Sequence, residues 1–83
     1  MVIAVDIDGV IAIPNGDNKH EQCRVVEGAA EAMRFLKKAG HTLILYTARP
    51  EIDREVTVQW MHDNGIKYDS LVMDKVKADI YIS

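Results

Sequence analysis

The chain has 83 residues, 48% hydrophobic and 28% charged, with 10 basic against 13 acidic side chains and a formal net charge of −3. That length supports a single domain over residues 1–83 with a modest core, and the clustered apolar residues exclude a disordered chain. No segment approaches the ~20 apolar residues of a membrane-spanning helix, and no basic face of a general nucleic-acid binder is legible.

Val2 to Val5 is an unbroken, β-branched-rich run and reads as a parallel strand buried on both faces. Asp6-Ile7-Asp8-Gly9 ends it. Val10 to Ile13 is apolar again, and the turn-rich Pro14-Asn15-Gly16-Asp17-Asn18 follows. Cys23 to Val26 is expected to pair back on Val10 to Ile13, making a hairpin flap over about 10–26. Glu27 to Ala39 reads as a helix with Ala29, Met33 and Leu36 on its apolar stripe, flanked by Ala32 and Phe35. Lys37 and Lys38 suit its last turn, and Gly40 ends it. His41 to Tyr46 is a second strand, closed by Thr47-Ala48-Arg49. Pro50 opens a second helix whose face carries Ile52, Val56 and Trp60, and Asn64-Gly65 stops it. Ser70 to Met73 reads as a third strand. Asp79 to Ile82 reads as a fourth, beyond the basic loop Lys75-Val76-Lys77.

Strands alternating with helices predict an α/β fold: a Rossmann-like parallel sheet of about four strands, two main helices and a short flap after the first strand. Such sheets bind ligands at the carboxyl ends of their strands. Asp6 and Asp8, Thr47, and Asp74 with Lys75 therefore share one rim. Two carboxylates two residues apart, with Cα atoms roughly 6.5–7 Å apart in an extended segment, attract a hard cation such as magnesium. Solvated loop acids are the plain alternative, and Asp6 alone would be read that way. Thr47 offers a hydroxyl to a phosphoryl oxygen, and the N–H groups after it face an anion site. Lys75 offers a cation to developing phosphoryl charge, with Lys77 as its competitor. Arg49 is evenly balanced between touching substrate and bracketing the second helix.

Val-Asp-Ile-Asp-Gly-Val at 5–10, Leu-Tyr-Thr-Ala-Arg at 45–49 and Asp-Lys-Val-Lys-Ala-Asp-Ile-Tyr-Ile at 74–82 resemble, in order, the motifs of the haloacid dehalogenase superfamily. The nearest likeness is to its small phosphatase-like members without a large cap. The resemblance implies a magnesium-dependent phosphomonoester hydrolase. Asp6 would be the nucleophile that forms an aspartyl-phosphate. Asp8 would protonate the leaving alcohol and then activate water. Magnesium would be held by the Asp6 carboxylate and the Asp8 main-chain carbonyl. Thr47 and Lys75 would bind the phosphoryl oxygens, and Gly9, Ala48 and Arg49 would meet the substrate.

One part of the family pattern is not found. The family places further acids after the last strand, whereas the sequence here runs only to Ser83, and the reading expects a truncated or minimal form with weak metal binding. Asp79 begins its strand, on the order of 13 Å from the rim. Asp74 is nearer. A rival reading is therefore a binding or assembly module that keeps the fold without turnover. A phosphorelay receiver built on Asp74, Thr47 and Lys75 fits poorly, because Thr47 precedes the supposed acceptor.

The remaining expectations are brief. Cys23, the one cysteine, has no internal disulfide partner, and with no signal peptide legible the expected compartment is a reducing cytoplasm. His20, His41 and His62 lack metal-ligand spacing and read as structural or solvent-facing, Cys23 as a packing residue and Trp60 as core. The expected partners are a small phosphorylated substrate and a second copy of the chain through an exposed sheet edge. A sugar phosphate, a nucleotide or a nucleic-acid end satisfies the same rim, and no membrane is implied.

Overall fold

A computed structural model describes residues 1–14 and 23–75. In chain order the elements are β1 (Val2–Val5), β2 (Ala12–Ile13), β3 (Arg24–Val25), α1 (Ala29–Lys38), β4 (Thr42–Tyr46), α2 (Arg54–Asp63) and β5 (Ser70–Val72), with a 3-10 turn, Glu51–Asp53, leading into α2. β1, β4 and β5 form a parallel sheet in that order, Ile3 lying opposite Leu43 and Leu45 opposite Leu71. β2 and β3 pair antiparallel, Ala12 against Val25, which is the expected flap. The Rossmann-like α/β class read from the sequence is the class observed. The strand expected at 79–82, together with His20 and Lys77, lies outside the described residues.

The core explains which face is covered. Leu43 and Leu45 of β4 and Leu71 of β5 point the same way and are buried with Met33 of α1 and Trp60 and Met61 of α2. Two successive crossovers of one hand that step in one direction across a sheet put their helices on one face. β1 consequently shows its other face. Val2 is 67% exposed and Ala4 is exposed, while Ile3 and Val5 pack against the core. The expectation of a first strand buried on both faces is therefore corrected among the described residues.

Two apolar side chains also differ from their expected places. Phe35 is 71% exposed, because two residues beyond the buried Met33 is about 200° around the helix. Ile52 is 89% exposed: it sits in the 3-10 turn, whose three-residue period breaks register with Val56 and Trp60. Both helices end as expected. Gly40 at φ +94° and Gly65 at φ +68° adopt the left-handed conformation that lets the next N–H reach back, His41 to Leu36 O at 3.1 Å and Ile66 to Met61 O at 2.9 Å.

Candidate active site

β1 delivers the two acids. Ile7 between them is fully buried, which leaves Asp6 exposed and Asp8 half-buried at the strand's carboxyl end. The chain then curls tightly: the Ile7 carbonyl accepts from the N–H groups of Val10, Ile11 and Ala12 at 3.2, 2.8 and 3.0 Å. Gly9 donates its own N–H to Ala12 O at 2.8 Å, so that amide serves the loop.

The ends of β4 and β5 are stitched to each other. Thr47 N–H donates to Val72 O at 2.9 Å, Lys75 N–H to Thr47 O at 2.9 Å, and Asp74 N–H to Arg49 O at 2.8 Å. This pairing carries Lys75 to Asp6, its ammonium 3.2 Å from Oδ2, while Asp6 Oδ1 accepts from Ile7 N–H at 2.8 Å. Sequence reasoning left Lys75 and Lys77 as competitors; Lys75 is the one seen against Asp6, and Lys77 is not among the described residues.

Arg49 lies beneath this rim, 3% exposed. Its Nε–H and Nη2–H grip Asp8 Oδ2 and Oδ1 at 3.0 and 2.7 Å, a bidentate fork. Its Nη1–H donates to Thr57 Oγ1 on α2 at 3.1 Å, and Nη2 lies 3.9 Å from Cys23 Sγ. The guanidinium thus links the first acidic loop, the flap and α2. Thr47 is also buried. Its Oγ1 accepts from Arg49 N–H at 3.1 Å, and a hydroxyl that accepts keeps its own hydrogen to direct. Ala48 between them is half-buried.

Asp74 adopts φ +58°, and its Oδ2 accepts from Glu51 N–H at 3.1 Å. It caps the 3-10 turn before α2, so one of its oxygens serves the fold. Sequence reasoning missed this cap, along with Thr57 as the far anchor of Arg49. Neither long-range partner leaves a local signal.

Asp6, Asp8, Thr47, Arg49 and Lys75 thus come together at one end of the sheet, as open carboxylate, buried clamp and adjacent cation. Magnesium takes one or two carboxylates and completes its shell with water and substrate oxygens. The half-exposed Asp6 carboxylate fits one place in that donor set. Both Asp8 side-chain oxygens are engaged by Arg49, and no group of three His, Cys, Asp or Glu forms a metal cluster among the described residues. Further along, a recess of about 200 Å³ lies beside the flap, lined by Cys23, Val56, Gln59, Trp60, Asp63 and Asn64. It does not include Asp6 or Asp8.

The family model described as the LNS2 domain of PITM 1-3 matches residues 3–81. No curated protein matches the chain. Among solved structures, a chain of the Pnkp1/Rnl/Hen1 complex is similar at 26% identity and TM-score 0.77, over 96% of this chain and 29% of that one. A chain of the Pnkp1/Rnl/Hen1 RNA repair complex is similar at 28% identity and TM-score 0.75, over 87% and 24%. This chain therefore spans less than a third of either. A crystal structure from Vibrio cholerae shares the fold at 16% identity and TM-score 0.80, over 99% of this chain and 78% of that one.

Proposed function

The chain belongs to the PITM 1-3 LNS2 domain family, whose fold is that of the haloacid dehalogenase-like phosphatases, and from that premise we propose that it hydrolyses phosphate monoesters through an aspartyl-phosphate on Asp6. The observation that carries this reading is the Asp6 carboxylate at the meeting of three strand ends with the Lys75 ammonium 3.2 Å away. A nucleophile for phosphorus needs an accessible oxygen and a nearby cation to receive the charge of the phosphoryl oxygens, and this pair supplies both.

In the proposed sequence an Asp6 oxygen attacks phosphorus as the ester P–O bond breaks. Asp8 gives its proton to the departing alkoxide. It then takes a proton from the water that attacks the aspartyl-phosphate, and inorganic phosphate leaves with Asp6 restored. A carboxylate has about four acceptor positions, of which Arg49 takes two, so Asp8 can carry its proton without leaving the fork. Thr47 and Lys75 orient the phosphoryl oxygens. Magnesium, when bound, would be held by the Asp6 carboxylate and the Asp8 main-chain oxygen and would supply charge neutralisation.

The test is phosphate release from an aryl phosphate, with magnesium and with chelator, beside Asp6→Asn. The expected result is magnesium-dependent release that Asp6→Asn abolishes. A folded wild-type chain without release overturns the proposal. The likeness to a chain of an RNA repair complex adds an oligonucleotide ending in a phosphate to the substrates worth assaying.

A second reading, a phosphate-binding module without turnover, is favoured by one specific observation. Asp8 is gripped by a buried guanidinium that is itself anchored on Thr57. Binding of inorganic phosphate without release from any ester identifies that case.

A further inference from the structure

Tyr46 is the last residue of β4 and takes no part in the core. Alternation along the strand turns Leu43 and Leu45 toward the helices and Tyr46 to the opposite face, where it is 39% exposed beside its register partner Val72. Its ring is nevertheless not idle. The Lys75 ammonium lies 5.1 Å from the ring centroid, within cation–π range, while the same nitrogen is 3.2 Å from Asp6 Oδ2. The Lys75 side chain is 17% exposed, so much of its water is already replaced by these two partners.

A lysine head on a four-carbon stem is a mobile point charge and holds one place only where something fixes it. Asp6 is an anchor that the chemistry consumes. Once Asp6 carries the phosphoryl group as an acyl phosphate, its carboxyl no longer offers a full negative charge to the ammonium. The aromatic ring is unchanged by that step. It bears on the ammonium from the β4 side, and the stitched Thr47–Lys75 main chain keeps the two side chains in register. A ring face turned to an ammonium is also not open to stack on a substrate.

Taking the aspartyl-phosphate reading as its basis, we propose that Tyr46 is a positioning residue. Its ring holds the Lys75 ammonium at the phosphoryl position before Asp6 is phosphorylated and after, when the Asp6 carboxylate can no longer do so.

The test has one arm that does not depend on turnover. In ¹H–¹³C spectra of the full chain, the Lys75 ε-methylene protons should be shifted upfield by the ring current, with the assignment made from Lys75→Arg. The shift should persist in Tyr46→Phe and disappear in Tyr46→Leu. Unshifted protons in the wild type, or a shift that survives Tyr46→Leu, overturn the proposal. In the second arm, inorganic phosphate in magnesium is titrated into each variant. Tyr46→Phe should bind within about twofold of wild type, whereas Tyr46→Leu should weaken binding roughly three- to tenfold. Tyr46→Leu should add no loss on a Lys75→Ala background. Equal losses in Phe and Leu, or full additivity with Lys75→Ala, overturn it as well. If both arms succeed and no ester is cleaved, the hydrolase reading falls and the placement of Lys75 by Tyr46 stands.

Discussion

A guanidinium that is almost wholly buried and shares its hydrogen bonds among Asp8, Thr57 and Cys23 binds three parts of the chain at one atom cluster. Removing one partner of such a pair leaves the other charge without compensation. Arg49→Met is expected to cost about 2–4 kcal/mol of unfolding free energy, measured by urea titration. Arg49→Lys should recover less than half, since an ammonium cannot make the side-on fork to Asp8 and also reach Thr57. Wild-type stability in Arg49→Met would remove the clamp from the account. Asp74 supports a second prediction. Its side chain caps the Glu51 N–H while its backbone sits at φ +58°, a region that disfavours most side chains. Asp74→Ala loses the cap and keeps the strain, for about 1 kcal/mol. Asp74→Gly loses the cap and relieves the strain, and Asp74→Asn keeps most of both interactions. The expected order of stability is therefore Asn, Gly, Ala, and thermal unfolding reads it. The acids, threonine and lysine of the rim were legible because the carboxyl ends of parallel strands mark the site in advance. The fate of Arg49 was not. Arginine is rarely buried without a partner, and its partners lie 41 and 26 residues before it and 8 residues after it in the chain.

At the level of elements, the far end of the sheet is held by Asp69. One carboxylate oxygen accepts from Lys37 on α1 at 2.6 Å and the other from Leu43 N–H on β4 at 2.7 Å. The Lys37 hydrogen bond, helped by the Leu43 N–H, lowers the Asp69 pKa below its ordinary 3.8. The folded chain then carries fewer protons on Asp69 than the unfolded chain does in the interval below 3.8. Stability from this clasp is complete above that value and is lost as pH falls toward the lowered folded pKa. Asp69→Asn is expected to be less stable at neutral pH and to show a flatter loss of stability as pH falls below about 4; an unchanged acid profile refutes the assignment. Salt should weaken only the Lys37 half of the contact. Secondary structure itself was readable from period and caps. It failed at Phe35 and Ile52, where an apolar residue close to the pattern was counted as part of it. Neither position announces in sequence that the helix phase, or a 3-10 turn, has rotated it to water.

At the scale of the whole molecule, the sheet has one clothed and one bare face among the described residues. Val2, Ala4, Tyr46 and Val72 lie on the sheet face away from both helices, and none is charged. Three short strands present roughly 200–300 Å² there, well under the ~800 Å² per partner of a lasting dimer. Association through this face should be weak. Light scattering is expected to give a monomer mass when dilute and a rising mass when concentrated, and Val72→Lys should suppress the rise. A mass independent of concentration would refute it. In a domain this small a 1 kcal/mol change moves Tm by about 4–8 °C, so the Arg49 and Asp74 variants are separable in one melting experiment. The topology was visible in the alternation of strands and helices. The bare face was not, because it depends on the order of strands in space, which the sequence does not spell out.

The three main-chain hydrogen bonds between the segment after β4 and the end of β5 with the residues that follow it have a practical consequence for anyone exchanging parts between relatives. Thr47 to Val72, Lys75 to Thr47 and Asp74 to Arg49 make the two segments a single inherited unit. A chimera that imports residues 47–49 without 72–75 changes one half of a zip fastener and leaves the other half cut to the old pitch. Recombination between relatives would be expected to succeed when its crossovers leave both segments from the same parent, and to fail between them.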